Sequence, residues 1–322
     1  MKAAMLGTWH VHTEGYAKEF SADPRCRLTA VWDPDAAKAE RFAEQFGCQA
    51  YTDLDTLFAE ADFEAVIVCS ATTEHVELMV RAANAGKHIF TEKVLATTAQ
   101  GAMQIRDAVR RNGVRFAISY PHKTNPGLIF ARCMIEEGKL GMVTYARVRN
   151  AHNGSLAGWL PAHFYSREQC GGGAMMDLGA HPMYTLLWLL GEPQTVSSAF
   201  TSVTDKPVED NAVCILTYAN GAIGVSETAF VSNFNNYVVE LSGTEGAVRI
   251  ADGETMFTDR AAEGKWQHVQ LPAAPKPPIA QWIDEVHGGP AAAEFGIDEA
   301  VQLSRLMEAA YRAAEQGVCA AY

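Results

Sequence analysis

The 322-residue chain has no apolar run approaching the roughly 20 residues that cross a bilayer, which sets aside a membrane-spanning helix. It is short of positive charge. The 26 Lys and Arg stand against 38 Asp and Glu, and a net charge of −12 argues against nucleic acid or an anionic membrane surface as a partner. Its seven cysteines (Cys26, Cys48, Cys69, Cys133, Cys170, Cys214, Cys319) are scattered, with no CxxC pair and no metal-ligand spacing. That pattern excludes a disulfide framework and a cysteine zinc site, and reduced, mostly buried thiols are expected. Internal repeats and low-complexity tracts are missing as well, which removes solenoid and linker architectures. Met1 to Gly7 reads as a strand rather than as a signal peptide, so a cytoplasmic location is expected.

What is present is an ordinary globular composition, 48% hydrophobic and 20% charged, in a chain long enough for two domains. Over residues 1–120, short apolar runs alternate with amphipathic stretches. Lys2–Gly7, Leu28–Trp32, Ala65–Cys69, His88–Phe90 and Arg115–Ser119 predict strands, and Val11–Phe20, Asp35–Phe46, Glu74–Ala85 and Thr98–Arg111 predict helices. Such alternation implies an α/β domain with a doubly wound parallel sheet, a nucleotide-binding type of architecture. The pattern changes after Tyr120. A helix over Asn125–Gly138, a strand over Val143–Arg149, a His- and aromatic-rich loop over His152–Cys170 and one helix from about Met175 to Leu190 are followed by a run of strands. Those strands fall near Ala199–Val203, Ala212–Tyr218, Ala222–Thr228, Tyr237–Ser242, Ala247–Ile250, Thr255–Thr258 and Trp266–Gln270, with a hairpin at Asn220-Gly221. Residues 121–296 therefore read as an α+β domain with a large, mostly antiparallel open sheet. Leu271–Pro278 is a connector, and Ile297–Gln316 is a final helix within a terminal segment 297–322.

The stretch Gly171-Gly-Gly-Ala-Met-Met-Asp177-Leu-Gly-Ala-His181 carries the sharpest chemistry. In one continuous helix Asp177 and His181 would share a face. An imidazole is the side chain best suited to move protons near neutral pH, and a carboxylate beside it can orient it. The bland reading of the same spacing is a solvated ion pair. The glycines would leave room for another molecule to approach the backbone.

The dinucleotide fingerprint G-x-G-x-x-G is absent. The turn after the first strand reads Gly7-Thr-Trp9-His10-Val-His12, with only the first glycine in place. Asp33 ends the second strand, where a carboxylate either accepts hydrogen bonds from an adenosine ribose or caps the next helix. A ribose contact there would favour NAD over NADP. The His10/His12 pair could chelate zinc, but no carboxylate cluster is evident nearby in sequence, so no metal is expected and the histidines read as packing and hydrogen-bonding groups.

Five blocks in order resemble the glucose–fructose oxidoreductase / inositol dehydrogenase / rhizopine-catabolism family of nicotinamide-dependent sugar oxidoreductases. They are Ala65–His75 (AVIVCSATTEH), Ala85–Val94 (AGKHIFTEKV), Gly171–His181, Glu240–Ile250 and the last helix with Glu308–Ala314. The resemblance spans essentially the whole chain. It implies a Rossmann domain over 1–120, a substrate and oligomerisation domain over 121–296, and a helix in 297–322 that returns to the first domain. It implies hydride transfer to or from a sugar or polyol carbon. Lys93, Asp177 and His181 would flank the reacting carbon, with His181 as acid/base and Lys93 assisting. Gly7, Trp9, His10, Asp33, Ser70, Thr72, His75, Glu92 and Lys93 would contact NAD. Lys123, Trp159 and His163 would contact substrate. Two departures stand out: Val94 replaces the family's proline after the lysine, and the turn glycines are missing. Two other readings of the same residues are an NAD-dependent glycosidase working by transient oxidation and a non-catalytic dinucleotide sensor. A homodimer or homotetramer through the second-domain sheet is expected, with Val225, Val239 and Leu241 among the apolar residues for that face.

Overall fold

Lys2–Leu6 is apolar after its first residue and forms β1, every later side chain of which is buried. In the computed structural model, which describes residues 1–322, the chain divides into two units. One is Met1–Ser119 with Lys276–Val301, and the other is Tyr120–Pro275 with Gln302–Tyr322.

In the first unit β1 pairs in parallel with β2 (Arg27–Trp32) and β4 (Ala65–Val68). With β3 (Gln49–Tyr51), β5 (His88–Thr91) and β6 (Phe116–Ile118) the sheet has the order β3-β2-β1-β4-β5-β6. Strands sandwiched on both faces need continuous apolar runs, which is why β1 and β4 are legible in the sequence. The helices are α1 (Thr13–Ala22), α2 (Ala36–Phe46), α3 (Leu54–Glu60), α4 (His75–Asn84) and α5 (Ala99–Asn112). Asp35 and Thr98 accept backbone hydrogen bonds as the N-caps of α2 and α5. β3 and α3 escape the pattern reading; α3 is announced only by its cap, Asp53, which accepts from the Thr56 amide at 2.7 Å.

The second unit holds α6 (Pro126–Glu136), β7 (Val143–Ala151), and then three single-turn helical segments within the expected loop, two of them α7 (Gly154–Ala157) and α8 (Arg167–Cys170). The expected single helix is broken into α9 (Ala174–Asp177) and α10 (Ala180–Leu190). Pro182 has no N–H to give the Leu178 carbonyl, and the His181 amide takes that oxygen instead at 3.1 Å, tightening the turn. The strands are β8 (Thr195–Thr201), β9 (Asn211–Thr217), β10 (Ile223–Ala229), β11 (Tyr237–Gly243), β12 (Gly246–Ala251), β13 (Glu254–Asp259), β14 (Gln267–His268) and β15 (Ala320–Ala321). They form one nine-stranded sheet, β14-β13-β12-β11-β7-β10-β9-β8-β15, antiparallel except where β7 meets β10.

One face of this sheet is core. Of the apolar residues named for the open face, Val239 and Leu241 are fully buried on the core face, whereas half-buried Val225 lies opposite Arg147 on the face of Glu240. The face of Glu240 is charged: Arg147 bonds Glu227 at 2.8 Å and Glu240 at 3.1 Å.

The proline-rich connector leads into α11 (Pro278–Val286), whose Trp282 packs on Phe90 with ring centroids 5.7 Å apart. The expected break between 120 and 121 falls within one residue of the observed division at Ser119–Tyr120, whereas the expected boundary at 296–297 differs, since Lys276–Val301 belongs with the first unit. The last helix, α12, has the predicted limits Ile297–Gln316. Only its beginning groups with the first unit, and Gln302–Tyr322 groups with the second. All seven cysteines are free; Cys69, Cys170 and Cys214 are buried, three are half-buried and Cys319 is exposed. No helix is long and apolar enough to cross a membrane.

Candidate active site

The residues singled out from sequence divide between the units. Gly7, Trp9, His10, Asp33, Ser70, Thr72, His75, Glu92 and Lys93 lie in the first, and Lys123, Trp159, His163, Asp177 and His181 in the second.

In the first unit these residues follow the carboxyl ends of β1, β2, β4 and β5, where β1 and β4 diverge to opposite neighbours. Open parallel sheets bind ligands at such a reversal of strand order. Gly7 has φ +83°, and a Cβ there would lie 2.5 Å from the Ser70 Cα, so only glycine lets the two turns approach. The amides of Trp9 and His10 both donate to the Cys69 carbonyl, at 3.2 and 3.1 Å. The Thr8 amide and hydroxyl donate to Asp33 Oδ2 at 2.9 and 2.7 Å, and Asp35 N donates to Oδ1. Asp33 therefore does structural work in the turn, and with two lone pairs on each oxygen it retains capacity for a ribose hydroxyl. An open cleft of about 360 Å³ lined by Trp32, Pro34, Asp53, Glu74, Glu77 and Arg81 flanks it.

The histidines of the turn gather around Glu92. His12 Nδ1 is 3.1 Å and His10 Nδ1 3.7 Å from Glu92 Oε2, and Tyr16 donates its hydroxyl proton to the same oxygen. This corrects the sequence expectation that no carboxylate lies near the pair: Glu92 is 80 residues from His12 in sequence, and only the fold unites them. His10, His12 and Glu92 have the composition of a cation site, with donor atoms within 4.8 Å of one another. Here His10 Nδ1 accepts the His12 amide at 3.2 Å, and Glu92 Oε1 accepts the Lys93 amide at 2.9 Å. Burial alone would raise Glu92, but His10, the His12 hydrogen bond and Lys93 outweigh it and hold the carboxyl well below the usual range.

Lys93 is 4% exposed, and the Lys93–Val94 peptide is cis. His75 is buried, and its Nδ1–H donates to the Val94 carbonyl at 2.9 Å. Burial pushes this imidazole down to about 4 despite the carbonyls around it. Ser70 and Thr72, also buried, lie between β4 and α4.

In the second unit the glycine run serves the chain itself. A Cβ on Gly172 would overlap the Tyr311 hydroxyl, and one on Gly173 the Glu209 carbonyl oxygen. The expectation that these glycines admit a ligand is thereby corrected: Tyr311 and Glu209 occupy the space. Glu209 Oε1 accepts the amides of Gly173 (2.9 Å) and Met175 (3.0 Å) and the Tyr311 hydroxyl (2.5 Å), which caps α9 and fixes the loop leading to Asp177. Neither contact is visible in the sequence: a Glu before a strand carries no motif, and Tyr311, though inside the block Glu308–Ala314, is 102 residues from Glu209.

Asp177 ends α9 half-buried, and His181, the second residue of α10, is buried; Leu178 and Gly179 between them keep right-handed helical backbone angles. His181 Nδ1 lies 2.9 Å from the Tyr184 hydroxyl, a partner the sequence reading missed. Buried Lys123 places its ammonium 5.4 Å from the Tyr120 ring centroid and 5.8 Å from that of Trp188. Trp159 is 54% exposed and donates to Asn153 Oδ1 at 3.0 Å, while half-buried His163 packs beside Phe164 at 4.9 Å.

Comparison with known proteins adds to this geometry. Residues 1–120 match the oxidoreductase family with NAD-binding Rossmann fold, and 129–249 match the GFO/IDH/MocA C-terminal domain. The chain is 28% identical over 240 residues to inositol 2-dehydrogenase of Rhizobium meliloti (strain 1021), covering 72% of this chain and 70% of that protein. It is 26% identical over 258 residues to 2,7-anhydro-N-acetylneuraminate hydratase of Mediterraneibacter gnavus, covering 77% of this chain and 66% of that protein. The solved structure of levoglucosan dehydrogenase in complex with NADH and levoglucosan superposes with TM-score 0.87 over 100% of this chain and 99% of that one, at 19% identity, a likeness of fold.

Proposed function

This chain belongs to the GFO/IDH/MocA oxidoreductase family, and we propose that it moves hydride between the nicotinamide of NAD and a hydroxyl-bearing carbon of a sugar, polyol or sugar derivative. The observation that carries the reading is the retention of Lys93, Asp177 and His181, with Lys93 and His181 both buried where an idle charge or imidazole would be costly.

The residues after β1, β2, β4 and β5 fit the dinucleotide. Gly7 permits the close turn, and Asp33 stands where the adenosine ribose would be held. The flanking cleft carries Asp53, Asp55, Glu74 and Glu77 against Arg81, and Arg81 is itself paired with Asp55. A 2′-phosphate would be repelled there, which favours NAD over NADP. When bound, NAD supplies the hydride acceptor. In the oxidising direction His181 takes the hydroxyl proton as that O–H bond breaks, and Lys93 donates a hydrogen bond to the same oxygen. Asp177 holds a neighbouring hydroxyl of the substrate. Lys123 and His163 contact further hydroxyls, and exposed Trp159 stacks on the apolar face of the ring. Ser70, Thr72, His75, Trp9, His10 and Glu92 shape the cofactor side. The charged face of the nine-stranded sheet pairs with a second copy of the chain, and the protein works in the cytoplasm.

Titration with NAD and NADP, followed by NADH formation across sugars, inositols and glycosides, tests the reading. NAD binding with NADH release on one substrate supports it, and failure to bind either cofactor sinks it. The hydratase among the relatives favours a second reading, because adding or removing water is redox-neutral overall. Tightly held NAD with product formed from a glycoside but no net NADH would select that reading. NAD binding without any turnover would select a sensor.

A further inference from the structure

His181 differs from a simple catalytic imidazole in what holds it. Its Nδ1 lies 2.9 Å from the Tyr184 hydroxyl oxygen, and the same oxygen accepts the backbone N–H of His122 at 3.1 Å. The His122 ring stacks on the His181 ring, with centroids 4.4 Å apart and planes 27° from parallel. His122 also meets the edge of Tyr237 at 5.1 Å. Tyr184 cannot drift: it is 2% exposed and its ring stacks on Tyr120 at 4.3 Å. All of these groups lie in the second unit.

A phenol oxygen has two lone pairs and one proton. The His122 amide can only donate, so it occupies one lone pair. The second lone pair can take the Nδ1–H of His181. In that arrangement the neutral imidazole keeps its proton on Nδ1 and presents an unprotonated Nε2. The need for such a holder is general. An imidazole acting as a base through one nitrogen must be kept in the right tautomer by a partner at the other, and loss of that partner costs activity without disturbing the fold. A carboxylate usually does this. A phenol does it without adding a negative charge, so it sets the tautomer while stabilising the imidazolium less.

We propose that Tyr184 is the positioning residue for His181: its hydroxyl oxygen, anchored by the His122 amide, holds Nδ1–H and leaves Nε2 as the atom that exchanges the proton with substrate. The sequence places this group three residues after His181, one turn along α10. The role rests on His181 being the acid/base. In oxidation the substrate O–H bond breaks and an N–H bond forms at Nε2, giving the imidazolium. In reduction the same N–H bond breaks and the proton returns to the substrate oxygen. Nδ1 keeps its proton, bonded to Tyr184, in both states.

The direct test is the tautomer of His181 in the intact protein, read by side-chain nitrogen NMR of histidine-labelled protein, with the signal assigned by its loss in His181→Ala. The expected result is an Nδ1–H neutral form in the wild type and conversion to the Nε2–H form in Tyr184→Phe, which keeps the buried ring. Tyr184→Phe should also lower kcat by roughly 10- to 100-fold, a part of what a general base supplies, with KM and NAD affinity within about twofold of wild type. Wild-type His181 in the Nε2–H form overturns the proposal, as does a tautomer unchanged by Tyr184→Phe. Because the wild-type spectrum needs no variant, it decides the tautomer even where Tyr184→Phe folds poorly. Full turnover in His181→Ala would instead defeat the acid/base assignment, and the tautomer measurement distinguishes the two failures.

Discussion

Protonation of His75 should cost the protein stability in a window that few other groups share. The imidazole is 1% exposed, at the first position of α4, and its Nδ1–H donates to the carbonyl of Val94, the residue after Lys93. Burial lowers its pKa from 6.5 to about 4. A group whose folded pKa is depressed binds more protons unfolded than folded between the two values, so its contribution is complete above about 6.5 and is lost as pH falls toward about 4. The gap corresponds to roughly 3 kcal/mol when fully expressed and to about 2 kcal/mol at about pH 5. Urea unfolding near pH 7.5 and near pH 5 measures it. His88, half-buried, is shifted the same way, so the comparison must be with a variant lacking only His75. His75→Asn keeps a donor near Nδ1 and does not titrate, and it should remove about 2 kcal/mol of the acid sensitivity. Equal losses in wild type and variant between the two pH values would refute the burial argument.

Gly172→Ala should lower stability by roughly 1 to 3 kcal/mol, because its Cβ overlaps the Tyr311 hydroxyl, and Tyr311→Phe alone should cost about 2 kcal/mol by removing the donor to Glu209. Combining the two should cost less than the sum in thermal melts, and full additivity would contradict the overlap. His181→Ala should retain NAD binding by calorimetry and lose about 100- to 10,000-fold in turnover; near-wild-type rates would remove the residue from the mechanism. Light scattering should report a dimer or tetramer, and Ile215→Arg on β9, where Ile215 is 46% exposed, should shift it toward monomer. A monomeric wild type would contradict the sheet-pairing proposal.

Elements with a strong local signature were legible in the chain. Buried parallel strands read as unbroken apolar runs, capped amphipathic helices announced their own ends, and α12 was placed at its observed limits. β3 and α3 were not: β3 holds only Gln-Ala-Tyr, with no unbroken apolar run, and α3 spans about two helical turns. The α9–α10 break depends on a missing N–H at Pro182, which a pattern of apolar side chains does not register. Lys93, Asp177 and His181 were found from sequence because a family resemblance marks them. The roles of Glu209, Tyr311 and Tyr184 were not, because each acts by touching a partner that the sequence does not mark.

By itself the sequence determined the alternation that makes a parallel sheet, the acidic balance, and the residue types able to bind NAD and move a proton. Tertiary structure alone decided which groups meet. It brought Glu92 to His10 and His12 and filled the glycine loop with Tyr311. It also placed the Tyr184 hydroxyl 2.9 Å from His181 Nδ1. The reason is physical: local propensity acts over a few residues, whereas hydrogen bonds and close packing join atoms that only the folded chain brings within roughly 3 to 4 Å of each other.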